Sequence, residues 1–568
     1  MKRQPLICAF ALAACALASR PFVEMGVNDD WSYIYTAKVF AQTGHFVYNG
    51  GATAMLGWQI LWGALFIKLF GFSFTVARAS MLVVAMATAA LLQRTMVRCG
   101  LKEGDATVGT LAVVLSPLFL PLACSFMSDV GGVFCIVLCL YCCLRAIQAE
   151  TDRAAMGWIL LAAVSNVLGG TVRQIAWLGA LVMVPSTLWL IRKRKWAPAT
   201  AAALWVGSAG SILLLTRWFL HQPYALPETL LEGPIQLALL AHLRQSLIPV
   251  PLGLAFFALP VLVGFVAKTP GWRRGRVVAT VVAGAALSLA VLYLFHRGNH
   301  DSLMAPFTRN YVTARGLVDT DLMIGERPVV LGTMVRWVLT WATFTGILFA
   351  LGSLLMRRTV KAPVAAQVRL SGHELTVLLG PFSLAYVALL LPRGAFHSIY
   401  DRYTLPLAIL LVLTLVRYFQ EYVAERLPVV CTACVALFAA YAVAGTHDLF
   451  ALERAKLAAI SELRAAGVPR TAIQGSWEYN GWTQIENWGY VNDPRIVVPV
   501  GAYRAVSSRG SEDGCLMLVM ADYYPAVQPE YALAFDRTTC KTDSGFAPVT
   551  YSTWLPPYRG TIYIQKFP

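Results

Sequence analysis

Two adjacent carboxylates, Asp29 and Asp30, open the stretch NDDWSYIYTAKVFAQTGHF at residues 28–46. Neighbouring acids can divide labour between a general base and the partner that orients it. Trp31, Tyr33 and Tyr35 bracket the pair with aromatic faces of the kind that stack on sugar rings. The plainer reading is a solvated loop charge that keeps a helix end at the surface. The two readings separate only when the surrounding elements are placed.

Those elements are hydrophobic. Of 568 residues, 58% are hydrophobic and only 13% charged, and the mean hydropathy is +0.61, which excludes an ordinary soluble protein and implies a polytopic membrane protein. At about 20 apolar residues per crossing, candidate spans fall at 6–23, 73–96, 107–124, 130–147, 155–168, 175–191, 198–217, 247–267, 277–295, 330–356, 373–391, 403–417 and 428–445, roughly thirteen. Counting from a cytoplasmic MKR start, the basic clusters Arg94/Arg98/Lys102, Arg145/Arg153, RKRK (192–195), KTPGWRRGR (268–276) and MRRTVK (356–361) all fall inside, as the positive-inside rule requires. The same loops account for most of the +16 net charge, so nucleic acid is not needed as a partner. Residues 1–18 also carry a secretory-signal pattern, with Ala16-Leu17-Ala18 before Ser19. Pro21, Phe22 and Val23 extend the apolar run and favour an uncleaved anchor. Either way the acidic pair faces outward.

The long loops are all outside: 24–72, 218–246, 296–329, 392–402 and the region after 446. Loops held by a rigid scaffold tend to carry function, so the working face is expected outside, in a bacterium the periplasm. The segment 55–71 is apolar but interrupted by Gln59, Gly63 and Lys68, and reads as an interfacial helix with Trp58 and Trp62 at headgroup level. The chain therefore divides into a membrane domain, 1–445, and a small periplasmic α/β domain, 446–568. In the latter, 451–468 has helical periodicity and RIVVPV, CLMLVMADYY, YALAFD and GTIYIQ read as strands.

At the motif level NDDWSY resembles the Asp-Glu-x-x-Tyr motif in the first outer loop of GT-C glycosyltransferases, a superfamily that includes protein O-mannosyltransferases and lipid A aminoarabinose transferases. The likeness continues through a short helix ending at Gly44 and LFGFSFTVAR ending at Arg78. CSFMSDVGG (124–132) resembles the second acidic motif, GGTVRQ (169–174) the Arg-Gln signature, and YDRYTLPL (400–407) the Asp-Arg-Tyr-x-x-Pro segment. All four lie on the predicted outer face. Asp30 departs from the family's Glu by one methylene.

The resemblance implies a GT-C-like fold in the bacterial inner membrane and inverting transfer of a sugar from a polyprenyl-phosphate-linked donor to a lipid, glycan or protein acceptor. It implies Asp29 as base or acceptor activator, with Asp30 beside it. Arginine's planar fork suits phosphate oxygens, so Arg173 and Arg402 are the expected phosphate ligands, with Gln174, Tyr403 and Tyr33 near them and Arg309 and Arg315 in reserve. For Arg402, snorkelling from a helix end explains the residue equally well. Asp129 could bind a divalent ion, orient Arg173 or cap its helix; no other cofactor is indicated. His45, His221, His296, His300, His397 and His447 show no metal-ligand spacing.

Cys135, Cys139, Cys142 and Cys143 share a helix face, read as close helix packing rather than a metal site. Cys515 and Cys540 are expected to pair in the outer domain. The aromatic run GSWEYNGWTQIENWGY (475–490) suits carbohydrate contact or core packing, the latter slightly favoured. An O-antigen ligase or polymerase would centre its chemistry on a large late loop, and a transporter would place broken helices at the midplane; the acids of the first loop fit neither.

Overall fold

The computed structural model describes residues 3–228, 237–269, 272–297, 301–307, 310–318, 323–356, 370–499, 501–504, 522–537 and 542–567. Among them every expected span coincides with helix, and the chain is a polytopic helical membrane protein with a C-terminal α/β unit. Among the described residues nine helices are long and apolar enough to cross a membrane, or ten if the pair His242–Phe257 and Leu259–Ala267, bent by 67°, is one span.

Three expected spans form helices shorter than a full crossing. Gln4–Ala18 has 15 residues, about 22 Å against the roughly 30 Å hydrocarbon thickness. The span expected at 107–124 divides at Ser116-Pro117 into Glu103–Val114 and Phe119–Ala123, since proline removes a helical hydrogen bond. The third, Gln174–Leu190, widens into a π-helical turn at Gly179–Met183. The interfacial candidate forms the 14-residue helix Gly57–Phe70, with Gln59 and Gly63 buried and Lys68 and Phe70 exposed.

The site is framed by few elements. The first-loop helix Asp30–Thr43 ends on Gly44 in the left-handed conformation (φ +74°) and packs on Gly57–Phe70 and Phe74–Arg98. Ser128–Ile147 and Asp152–Val172 form a tight pair in which a Cβ on Gly169 would lie 2.4 Å from Cys135 Cβ. This close approach agrees with the packing role read for the cysteine face.

Two differences appear in the C-terminal region. The helix expected at 451–468 is the continuation of the last span: Val429–Ala465 runs unbroken for 37 residues, about 55 Å, so the chain crosses position 445 without a linker. RIVVPV forms no strand over 495–499, whereas YALAFD supplies Tyr531–Ala534 and GTIYIQ supplies Arg559–Lys566. Ile473–Gln474 pairs parallel with Tyr531–Ala534, which pairs antiparallel with Arg559–Lys566; Thr542–Asp543 and Val549–Ser552 also pair with that last strand. CLMLVMADYY falls largely, and Cys515 and Cys540 entirely, outside the described residues.

Candidate active site

Asp30 is fully enclosed. Its Oδ2 accepts from Arg78 Nε at 2.8 Å and the Phe126 N–H at 3.3 Å; its Oδ1 accepts from the Val27 N–H at 2.7 Å and Arg78 Nη2 at 3.3 Å. Arg78 also donates to the carbonyls of Val23, at 3.0 Å, and Met25. Buried ions persist when such partners satisfy them. This pair fastens the start of the first loop to the Phe74–Arg98 helix, and Asp30 is sealed from any ligand.

Asp29 has the opposite surroundings. Its side chain is 24% exposed, with Oδ2 3.3 Å from Arg402 Nη2 and Oδ1 accepting from Trp477 Nε1 at 3.1 Å. Arg402 is placed by its neighbour: buried Asp401 accepts backbone N–H bonds from Tyr311 (3.0 Å), Val312 (2.7 Å) and Arg402 (2.7 Å). The short helical turn Asp401–Thr404 thereby points Arg402 inward, its guanidinium 5.5–6.0 Å from the rings of Tyr311, Tyr400 and Tyr403. Nε and Nη1 of this buried guanidinium have no hydrogen-bond partner among the described residues, which is costly unless a ligand or water completes them.

Arg173 arrives where Asp152–Val172 gives way to extended backbone. It ion-pairs with Asp129 Oδ1 at 2.9 Å and lies 4.8 Å over the Tyr403 ring. Asp129 is at the start of its own helix, and its Oδ2 is 4.0 Å from Arg402 Nη1. One carboxylate therefore stands between two guanidiniums. The approach depends on Gly132, where a Cβ would be 2.5 Å from Arg173 Cβ. Arg393 adds a third cation at the edge, donating to Tyr403 Oη at 3.2 Å and pairing with Glu228 at 3.0 Å. Tyr33 is buried one turn after Asp29; burial, and then the Asp29 charge, raise its phenol above the ordinary value. It stays a neutral donor beside the charges.

Asp29, Asp129, Arg173, Arg402, Tyr403 and Tyr33 thus converge, although some 370 residues separate the first from the last. The other sequence candidates lie apart. Gln174 turns to the Thr53 carbonyl at 3.1 Å and holds the first loop. Trp31 is buried against Trp477 and Tyr35 packs on Trp482, so neither offers a free sugar platform. Arg315 pairs with Glu326; Arg309 and His300 lie outside the described residues. No three His, Cys, Asp or Glu side chains gather as a metal site among the described residues.

Four residues were not singled out from sequence as site groups: Trp477, Tyr311, Tyr524 and Arg393. Only Trp477 carried a signal, inside the aromatic run 475–490. Tyr524 packs on Trp477 with ring centroids 5.4 Å apart, and burial, then the Asp29 charge, raise its phenol too.

No protein-family profile matches the chain, and no curated protein matches it. Two crystal structures of ArnT from Cupriavidus metallidurans are similar at 12% identity: the apo state, with 82% of this chain and 81% of that one covered and a TM-score of 0.35, and the form bound to undecaprenyl phosphate, with 99% and 98% covered and a TM-score of 0.38. Likeness this distant assigns no activity.

Proposed function

We propose that this protein is an integral membrane glycosyltransferase of GT-C type that moves a sugar from a polyprenyl-phosphate donor to an acceptor hydroxyl at the periplasmic face. One observation carries the reading: a partly exposed carboxylate, Asp29, pairs with buried Arg402, whose Nε and Nη1 donors have no partner among the described residues, and Asp129 stands between Arg402 and the partly buried Arg173. The open donors of Arg402, beside Arg173, can take an anion, and a phosphate suits such forked donors. A base beside that position is what displacement at a phosphate-linked sugar needs.

The acceptor oxygen attacks the anomeric carbon as Asp29 takes its proton. The carbon–oxygen bond to phosphate breaks, and its electron pair leaves with the polyprenyl phosphate, held by Arg173 and Arg402. Attack opposite the leaving group inverts the anomeric centre. The basic inner loops support the periplasmic assignment. Asp30 and Arg78 shape the loop, and Tyr33 and Tyr403 line the charged pocket.

Mass spectrometry of envelope lipids and glycans from a deletion strain, complemented with wild type or Asp29→Asn, tests the proposal. A glycan modification that disappears on deletion and returns only with wild type supports it. Full restoration by Asp29→Asn overturns the catalytic assignment.

A further inference from the structure

We infer that Trp477, contributed by the C-terminal α/β unit, is a positioning residue for Asp29, so that this unit is a working part of the active site. The inference rests on the proposed function and deepens it.

The Trp477–Trp488 helix begins at Ser476, whose side chain accepts from the Tyr479 N–H, and its first two residues both reach the acidic loop. Trp477 donates its indole N–H to Asp29 Oδ1 at 3.1 Å, and Glu478 Oε1 accepts the Asn28 backbone N–H at 3.0 Å. Asn28 is in the left-handed conformation (φ +56°), a backbone state that needs support from its surroundings. Glu478 is itself held: fully buried Lys456, from the long last helix, lies 2.8 Å from Glu453 and 3.9 Å from Glu478. Close packing fixes the whole contact, because the Trp31 ring occupies the place where a Cβ on Gly481 would stand, 2.5 Å away. The unit is thus anchored on both sides of Asp29, and its only direct bond to that carboxylate comes, among the described residues, from Trp477.

Without that bond, Asp29 retains Arg402 as its direct partner and is free to rotate towards it. The indole N–H holds the carboxylate turned to the pocket. Other groups lie around the same carboxylate: Tyr33 from its own helix, Tyr311 just before the short strand Val312–Thr313, Tyr400 and Arg402 from the Asp401 turn, and Tyr524 from the C-terminal unit. The reaction needs Asp29 aimed at the acceptor hydroxyl, so losing that aim lowers turnover rather than donor binding.

The test uses full-length protein in nanodiscs, a panel of polyprenyl-phosphate sugars, and the acceptor fraction accumulated by the deletion strain. Trp477→Phe keeps packing against Trp31 and Tyr524 but lacks the donor; Trp477→His restores an N–H. For Trp477→Phe we expect kcat to fall about 10–100-fold, the scale of small misplacements of a reacting group. Donor KM should stay within about twofold, since the phosphate ligands are untouched. Trp477→His should recover part of kcat, again at unchanged donor KM. An Asp29-dependent wild type whose Trp477→Phe variant keeps its kcat overturns the inference alone. So does a fall in kcat with no recovery in Trp477→His, which is the mark of a merely structural residue. If Trp477→Phe fails to fold, Trp477→His decides by the same two readouts, kcat and donor KM. A wild type inactive on the whole panel, or active without Asp29, overturns the proposed function and the inference with it.

Discussion

Asp29 and Asp30 are neighbours in the chain, yet they occupy two regions with opposite electrostatics. Around Asp30 every lone pair is committed to Arg78 or a backbone N–H, and no surface is exposed. Around Asp29 there is one guanidinium contact at 3.3 Å, one indole N–H, and an opening lined by Arg402 donors that lack partners among the described residues. The helical start explains the contrast: consecutive residues at a helix N-terminus point about 100° apart, so one acid faces the bundle and the other the pocket. A charge whose partners are complete builds structure, and a charge whose surroundings are incomplete is available for chemistry.

The strongest way to break that comparison is to remove each charge in turn. Asp29→Asn should lower turnover by about 10²–10⁴-fold, the usual range for losing a general base, while leaving thermal stability in detergent near wild type. Asp30→Asn should do the reverse in cause: an uncompensated buried Arg78 costs about 3–5 kcal/mol, read as a lower unfolding midpoint, with activity lost in proportion to folded protein. A stable Asp30→Asn protein that is inactive would place both acids in the chemistry and dissolve the distinction.

Much of the architecture was legible because apolar length and basic-loop periodicity are local quantities. The helices at all thirteen expected positions follow from them, and so does the one-sided helix Gly57–Phe70. Composition could not show that Pro117 divides one span or that Val429–Ala465 continues past residue 445, because a polar, alanine-rich helix and an apolar one propagate equally well. The site was legible as four motifs on one face. Their roles were not, since Asp29 and Asp30 differ only in what touches them. Trp477 was hidden for the same reason: an aromatic run of a small domain reads as core until its partner, some 450 residues away, is placed beside it. RIVVPV has a strand's composition but ends among loop contacts, with the Tyr224 N–H donating to the Val497 carbonyl, showing how tertiary pairing overrides short-range pattern.

The comparison sharpens further at the arginines. Arg402→Lys keeps the charge but loses the fork. Its expected cost is one charge-assisted hydrogen bond, about 1.5–3 kcal/mol, read as a rise of roughly 10–150-fold in donor dissociation constant, for example by titrating a fluorescent polyprenyl phosphate into the nanodisc-held protein. An unchanged dissociation constant would leave Arg402 as a mere counter-ion of Asp29.

The smallest effect is expected at Gln174, which stands next to Arg173 in sequence and apart from it in role. Its amide donates to the Thr53 carbonyl rather than into the charged pocket, so Gln174→Ala removes one neutral hydrogen bond, worth about 0.5–1.5 kcal/mol of stability. The first loop stays fastened through Asp30 and Arg78, and donor affinity should change by less than about threefold, under 0.7 kcal/mol. The pairing of Asp129 with Arg173 is independent of Gln174, so the two positions should be separable: Arg173→Ala weakens donor binding and Gln174→Ala does not. A tenfold loss of donor affinity in Gln174→Ala would show that the amide reaches the donor, and would move residue 174 from the fastened side of the comparison to the open one.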